Sequence, residues 1–242
     1  DRGLRPCWQV ALDEWFQHPI GQGFTGAQDV AFSLAPRIAA TGRLDEAGPG
    51  VSFLLATSVE KAHKQALLLD RDNTERKRIQ ATLEAQALVL AEKQVAAGMP
   101  LLLVDLPSGH IGVQGIVASR LVERFARPAG VFSPRRDESG TIYGWSGSLR
   151  SGGYMNMYEW ILKLRAALPE IVIGGGGHPA AGGLSLSADC DFDALRIRGM
   201  ALASSTWSSS APPVGKLVAW SDGELNPSCI DADLVHALAR IE

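Results

Sequence analysis

Apolar residues recur at helical spacing along a stretch without proline in the first half of the chain. The recurring positions are separated by seven residues or a multiple of seven: Ala62, Leu69, Leu83, Leu90 and Ala97. Such spacing places them on one face of a helix. Thr57 and Glu60 form a capping box at its start, and Gly98 with Pro100 provides a stop signal. The pattern therefore predicts one long helix over residues 58–98.

The centre of this stretch is highly charged from Asp70 to Arg78. A long helix exposed at its centre fits that composition and would connect two packed bodies. A helical hairpin with its turn at Asp72 and Asn73 is the alternative that the sequence leaves open.

After Pro100, short apolar runs alternate with amphipathic segments. The predicted strands are residues 101–105, 129–133, 141–148 and 183–187, and the predicted helices are residues 113–125 and 158–168. This alternation indicates an α/β fold, with a mixed sheet flanked by helices and preceded by the long connecting helix. Residues 203–213 are rich in Ser, Pro and Ala, as in a linker, and a strand over 214–220 and a helix over 230–241 follow.

Composition limits the classes of protein that fit. Hydrophobic residues make up 46% of the 242 residues, and no apolar run reaches the roughly 18 residues of a membrane span. The net charge is −3, so any binding of nucleic acid depends on a local basic patch. The three cysteines have neither zinc spacing nor a disulfide pattern, which predicts a protein of the reducing cytoplasm. The lack of an apolar span predicts that no membrane is a partner.

A run of four glycines, Gly174 to Gly177, precedes His178. We expect a loop here, because glycine lets the backbone approach a phosphate closely and a histidine can donate to a phosphate oxygen. A tight turn between two packed elements is the alternative for a glycine run taken alone.

Two further segments offer groups that bind anions. Ser148, Arg150 and Ser151 follow Gly147 at a predicted strand end, where hydroxyls and a guanidinium suit a terminal phosphate. His110 precedes a helix whose dipole favours an anion. A solvated strand end and an ordinary loop histidine are the respective alternatives. The remaining histidines (His18, His63 and His236) have no partners at metal-ligand spacing, so no complete metal site is evident.

Taken in order, these segments resemble the RecJ family of single-strand-specific DNA exonucleases, in the part that follows its catalytic DHH domain. The segments that carry the resemblance are Ala35–Leu44, Leu69–Arg76, His110–Leu121, Gly147–Ser151 and Gly175–Gly182. Residues 222–225 look like the opening of the oligonucleotide-binding fold that follows in the family. Ala39 stands where the family has Asn, and Tyr158 where it often has His.

The resemblance implies a domain plan. Residues 1–57 would end the DHH region, residues 58–98 would form the connecting helix, and residues 99–203 would form the DHH-associated domain. Residues 204–242 would be a linker and the start of a shortened oligonucleotide-binding fold. We expect the DHH domain, with its two Mn or Mg ions, to lie outside this chain, so the chain alone would bind no cofactor and would be inactive.

The resemblance also implies a function: holding a single DNA strand and its 5′ phosphate for a 5′→3′ exonuclease, with other DNA-repair proteins as partners. The residues expected to contact nucleic acid are His178, Gly176, Gly177, Arg150, Ser148, Ser151, His110, Arg37, Arg43 and Arg76. Two alternatives stay open. One is a non-catalytic scaffold related to RecJ that binds nucleic acid or protein, and the other is a fragment of a DHH-family phosphodiesterase for oligonucleotides or cyclic dinucleotides.

Overall fold

The structure of the chain, a computed structural model, divides into two compact units. It describes residues 3–16, 27–209, 211, 214–216 and 223–239. One unit comprises residues 1–75 and 219–242, and the other comprises residues 76–218. No helix in the described ranges is long and apolar enough to cross a membrane.

The first unit is helical where it is described. Its helices are α1 (Pro6–Glu14), α2 (Ala27–Asp29), α3 (Ala35–Leu44), α4 (Gly48–Leu54) and the first part of α5 (Val59–Ala96), with a π-helical turn at Val30–Leu34 before α3. A proline stands in the first turn of α1, α3 and α4, where its missing N–H costs nothing. Trp15 and Phe53 pack with ring centroids 5.1 Å apart in the core of this unit. A short 3₁₀ turn (Pro227–Cys229) and α9 (Ala232–Ala239) lie near the end of the chain.

Helix α5 is continuous over 38 residues, so the alternative of a helical hairpin is wrong. Ala62 and Leu69 are fully buried in the core of the first unit, and Leu83 is buried in a core of the second unit. Three of the five positions at seven-residue spacing are therefore buried, whereas Leu90 is half-buried and Ala97 is exposed just after the end of the helix. The boundary between the units falls inside α5, between Glu75 and Arg76.

The second unit is built on a five-stranded mixed sheet. Its strands are β1 (Leu102–Asp105), β2 (Ala129–Arg136), β3 (Ile142–Arg150), β4 (Val172–His178) and β5 (Ala181–Leu186). The strand order is β1-β2-β3-β5-β4, with β1 and β2 parallel and the other neighbours antiparallel. The helices of this unit, besides the second part of α5, are α6 (Ile111–Phe125), α7 (Met157–Ala167) and α8 (Phe192–Ala203), with a 3₁₀ turn at Ser204–Thr206.

Alternate residues of the strands supply two separate cores. Phe132, Leu149 and Leu184 pack with α7 and α8, and Trp160 of α7 donates its indole N–H to Gly199 O at 2.8 Å. Val131 and the residues that share its side of the sheet pack with α6 and α5. Because side chains alternate across a strand, these two sets lie on opposite faces of the sheet.

The glycine run is not a loop: Gly174 to Gly177 lie within strand β4, which ends at His178, and the turn is formed by Pro179 and Ala180. Close packing explains the strand. A Cβ on Gly175 would stand 3.0 Å from Ile161 Cγ2 of α7, so the absence of side chains lets the helix approach the sheet.

Two other regions differ from the sequence interpretation or escape it. Helix α8 has no counterpart among the predicted helices, although Asp191 caps it by accepting hydrogen bonds from the N–H groups of Asp193 and Ala194. The strand expected at 214–220 falls mostly outside the residues that the structure describes.

Candidate functional site

Strand pairing brings together polar residues that are distant in sequence. Ser148 of β3 pairs with Gly183 of β5, which pairs with Gly176 of β4. Two residues further along β3, Arg150 pairs with Ala181, which pairs with His178. Directly paired residues point to the same side of a sheet. Ser148, Arg150, Gly183, Gly176 and His178 therefore share one side of β3, β5 and β4, called here the open face.

The floor of the open face has no side chain at Gly176 and Gly183. A Cβ on Gly176 would meet no atom within 4 Å, and one on Gly183 would meet only Gly147 O, at 3.6 Å. A ligand can therefore approach the backbone closely. Because the N–H groups of a sheet point along the plane of the sheet, these glycines supply room, and the donors for an anion come from side chains.

Gly177 has a different role from Gly176. Its φ is 151°, a conformation that side chains rarely adopt, and a Cβ there would stand 2.4 Å from Ala181 O. The hairpin between β4 and β5 therefore requires glycine at this position, whatever it binds. His178 follows it at the end of β4 and is exposed.

Arg150 is held in position by its neighbours on β3. Its Nη1 donates to Ser148 Oγ at 3.2 Å and to Leu149 O at 2.8 Å, and the residue is half-buried. Its Nη2 lies against α6 at Gly115, where a Cβ would stand only 2.9 Å away. The guanidinium and the Ser148 hydroxyl thus form one donor group beside the glycine floor.

Ser151 and His110 lie outside the strand pairs that form the open face. Ser151 is fully buried, donates from Oγ to Met155 O and accepts from Met155 N, which fixes the loop before α7. His110 caps α6, because its Nδ1 accepts the N–H of Gly112 at 3.1 Å. The structure thus gives each of these two side chains a local structural contact.

The three arginines expected along the path of a strand are on helices α3 and α5 and not on the strands of the sheet. Arg37 and Arg43 belong to the first unit, where Arg37 Nε donates to Asp70 Oδ1 at 2.6 Å and its guanidinium lies 5.0 Å from the Trp15 ring centre. Arg76 is the first residue of the second unit and donates to Gln80 Oε1. Their contact with nucleic acid stays a prediction.

The sequence interpretation overlooked polar residues that extend the open face. Ser146 pairs with Ser133 on one side and with Ser185 on the other, and Arg135 donates to Ser185 Oγ at 3.3 Å. The signal was present in the sequence, since Ser146, Ser148 and Arg150 alternate at the period of a strand. Assigning them to one surface required the register of β3 against β5.

A metal centre is not found in the part of the chain that the structure describes. That part contains no group of three or more His, Cys, Asp or Glu side chains placed to hold a metal ion. The residues present there do not fit a pair of Mn or Mg ions, so no reaction step is assigned to them.

Comparisons with known proteins agree with this architecture. A family profile described as the DHHA1 domain matches residues 98–197. The single-stranded-DNA-specific exonuclease RecJ of Escherichia coli is 36% identical over 215 residues, which are 88% of this chain and 36% of that protein. RecJ of Bacillus subtilis is 34% identical over 196 residues, which are 81% of this chain and 24% of that protein.

Solved structures show the same relationship. The crystal structure of RecJ from Thermus thermophilus in complex with Mn²⁺ covers 98% of this chain, with a TM-score of 0.73 and 25% identity. A structure of exonuclease RecJ bound to manganese covers 75% of it, with a TM-score of 0.61 and 28% identity. This chain spans 32% and 43% of those two chains, so it corresponds to one portion of a longer protein in each case.

Proposed function

The chain belongs to the RecJ family of single-stranded-DNA-specific exonucleases, as a portion that contains the DHHA1 domain, and on that premise we propose that its open face binds a phosphate of a single DNA strand. The observation that carries the proposal is the convergence of Ser148, Arg150 and His178 beside Gly176 and Gly183. Three donors from two strands share one side of the sheet with Gly176 and Gly183, where a Cβ would have room.

The chemistry of these groups suits a phosphate. A guanidinium presents several N–H donors in a fixed plane, and its hydrogen bonds to phosphate oxygens are about twice as strong as bonds between neutral groups. Ser148 adds a hydroxyl, and His178 adds a ring N–H. Because Arg150 is already positioned by Ser148 and Leu149 O, little side-chain entropy is lost when the anion binds.

We assign this face a positioning role in a longer enzyme. It would hold the strand and its 5′ phosphate, while hydrolysis with Mn or Mg would require a DHH domain. Mn²⁺ and Mg²⁺ are named for the RecJ crystal structures, and the described residues here do not fit such ions. The 5′→3′ direction, DNA-repair partners and a cytoplasmic location belong to the same proposal.

Fluorescence anisotropy of a 5′-phosphorylated oligodeoxynucleotide with the 242-residue chain tests the proposal. Arg150→Ala should weaken binding at least about tenfold, because a hydrogen bond to a charged group contributes about 1.5–3 kcal/mol. His178→Ala should weaken it less. Arg198→Ala provides the control, since Arg198 lies on α8, across the sheet from the open face, and is exposed.

Salt dependence separates phosphate contacts from other effects. Each lost phosphate contact should lower the slope of log affinity against log salt by about 0.7 for a single strand. Unchanged affinity in both Arg150→Ala and His178→Ala, with a folded protein, would refute the assignment of the site.

A further inference from the structure

The two edges of the sheet differ in how their backbone groups are bonded. At the β1 edge, Gln94 of α5 donates from Nε2 to Leu103 O at 2.8 Å and accepts from Leu103 N at 2.9 Å. Arg196 of α8 also donates to Leu103 O, at 3.1 Å. Strand β1 has only four residues, so these side chains occupy backbone groups that a further strand would need.

The opposite edge, formed by β4, is open. Strand β4 has seven residues and pairs with β5, and within the described ranges no strand pairs with its other side and no side chain bonds to its backbone. Edge strands are usually protected by lysine, other charged side chains or proline, and β4 contains no lysine, carboxylate or proline. Gly175 and Gly177 are exposed, so the backbone is accessible to another chain.

An apolar cleft lies beside this edge, between α7 and β4. It has a volume of about 400 Å³ and is lined by Leu162, Arg165, Ala166, Pro169, Val172 and Ile173. Ile173 falls at the register shift of β4, has no partner on β5 and is 58% exposed, and Leu162 is 45% exposed. Because side chains alternate across a strand, every second side chain of an added strand can enter such a cleft.

The charge of the cleft indicates the chemistry of a ligand. Of the residues that line it, Arg165 alone is charged. Arg165 is exposed, and no carboxylate in the described part of the chain pairs with it. A carboxylate on a bound peptide would therefore meet an unpaired guanidinium, and such pairs are often bidentate.

We propose that β4 and α7 form a docking site for an extended segment of another protein, which adds to the sheet as a further strand. The segment has apolar residues at alternate positions for the cleft and an acidic residue for Arg165. Main-chain hydrogen bonds give affinity in this mode of recognition, and pockets for alternate side chains give specificity. The docking site is distinct from the proposed phosphate site, whose donors Ser148 and Arg150 lie on β3.

A panel of labelled peptides tests the docking site. Each peptide would have about ten residues, enough for an ordinary strand, and would alternate isoleucine or valine with threonine. One glutamate would replace a different threonine in each peptide, and fluorescence anisotropy with the 242-residue chain would measure the affinity. At least one peptide should bind, and lysine in place of its glutamate should weaken binding about tenfold.

Methylation of the peptide backbone isolates the main-chain contact. In an added strand, the N–H groups of alternate residues point towards β4 and the others point away. Two versions of the binding peptide would be N-methylated, one at odd-numbered and one at even-numbered residues. One version should bind at least about tenfold more weakly, and the other should keep its affinity. Equal affinity of the two versions would contradict strand addition.

Matched variants locate the contact on the protein. Ile173→Lys places a charge on the edge and should weaken peptide binding at least about tenfold. Ile197→Lys is the control, because Ile197 lies on α8 and is 71% exposed, and it should bind as the wild type does. Arg165→Glu should reverse the preference, so that the lysine peptide binds more tightly than the glutamate peptide.

The possible results lead to distinct conclusions. If no peptide of the panel binds, or if Ile173→Lys and Arg165→Glu both bind the peptides as the wild type does, the docking site is wrong. If the chain forms a dimer that Ile173→Lys dissociates, as measured by analytical ultracentrifugation, and no peptide binds, β4 pairs with a second copy and the proposal is overturned. Because none of these measurements involves DNA, they leave the proposed function to its own test.

Discussion

Arg150 of β3 lies so close to Gly115 of α6 that a Cβ on Gly115 would stand 2.9 Å from the arginine Nη2. The same Cβ would stand 2.9 Å from Ser148 Oγ. Both donors of the proposed phosphate site thus occupy a slot that exists because position 115 has no side chain. Helix α6 therefore positions the site without contributing a ligand of its own at that point.

Gly115→Ala should uncouple stability from binding. Alanine favours a helix interior by roughly 0.5–1 kcal/mol over glycine, and the atoms it would meet are the ends of side chains that can move. We expect an unchanged or higher melting temperature together with an affinity for single-stranded DNA lowered about as much as in Arg150→Ala. Thermal denaturation and anisotropy on the same preparation measure both. Wild-type affinity would show that the slot does not matter.

Substitutions at two neighbouring glycines of β4, Gly176 and Gly177, should have different effects on stability. Gly177→Ala should destabilise the second unit by about 1–3 kcal/mol or more, because its φ of 151° and the nearby Ala181 O both resist a side chain. Gly176→Val should leave stability unchanged or higher, since space is open there and β-branched residues favour strands.

Binding of single-stranded DNA should be weakened by the substitution at position 176, although that substitution leaves the protein stable. Valine at position 176 would cover the floor of the open face, and we expect about tenfold weaker binding of single-stranded DNA by a fully folded protein. If Gly176→Val binds as the wild type does, the glycine floor is not part of the site.

Two buried serines, Ser133 of β2 and Ser146 of β3, should differ in how much their replacement by alanine changes the stability of the protein. Ser133 Oγ is fully buried with no hydrogen-bond partner in the described chain, so Ser133→Ala should be neutral or stabilising. Ser146→Ala should cost about 1–3 kcal/mol, because it leaves the buried Gln114 Nε2 without its acceptor. Urea unfolding measures both changes. A larger loss in Ser133→Ala than in Ser146→Ala would contradict the assigned hydrogen bonds.

Cysteine reactivity should depend on position and pH. Burial, with the nearby Asp191 and Asp105 carboxylates, raises the pKa of the Cys190 thiol to about 12, whereas Cys229 is exposed. Because the thiolate is the nucleophile, maleimide labelling at about pH 8 should modify Cys229 quickly and Cys190 slowly. The raised pKa favours the folded state below the pKa of the unfolded thiol, and this contribution is lost as the pH rises towards about 12. Equal labelling rates for the two thiols would contradict this environment.

The sequence was sufficient for elements with a strong local signal. Helix α5 follows from its buried Ala62, Leu69 and Leu83, and β1 follows from its apolar run. Strand β4 did not follow, because glycine favours turns and only pairing with β5 and close packing of Ile161 make the run extended. Tertiary contacts, which no local pattern contains, decided that element.

The residues of the candidate site also include some that the sequence identifies and some that only the fold reveals. Arg150, Ser148 and His178 are identified from residue types and order in the chain. Arg135 is missed, because its place beside Ser185 depends on the register of three strands. Register across a sheet is a property of the whole fold and is not visible in a single segment.

The central claim is that the open face holds a phosphate of a DNA strand, and a crystal structure of the chain with a 5′-phosphorylated oligodeoxynucleotide tests it most directly. We predict a phosphate above Gly176 and Gly183, within hydrogen-bond distance of the Arg150 guanidinium and Ser148 Oγ. A strand bound elsewhere, with its phosphates away from β3, β5 and β4, would contradict the account.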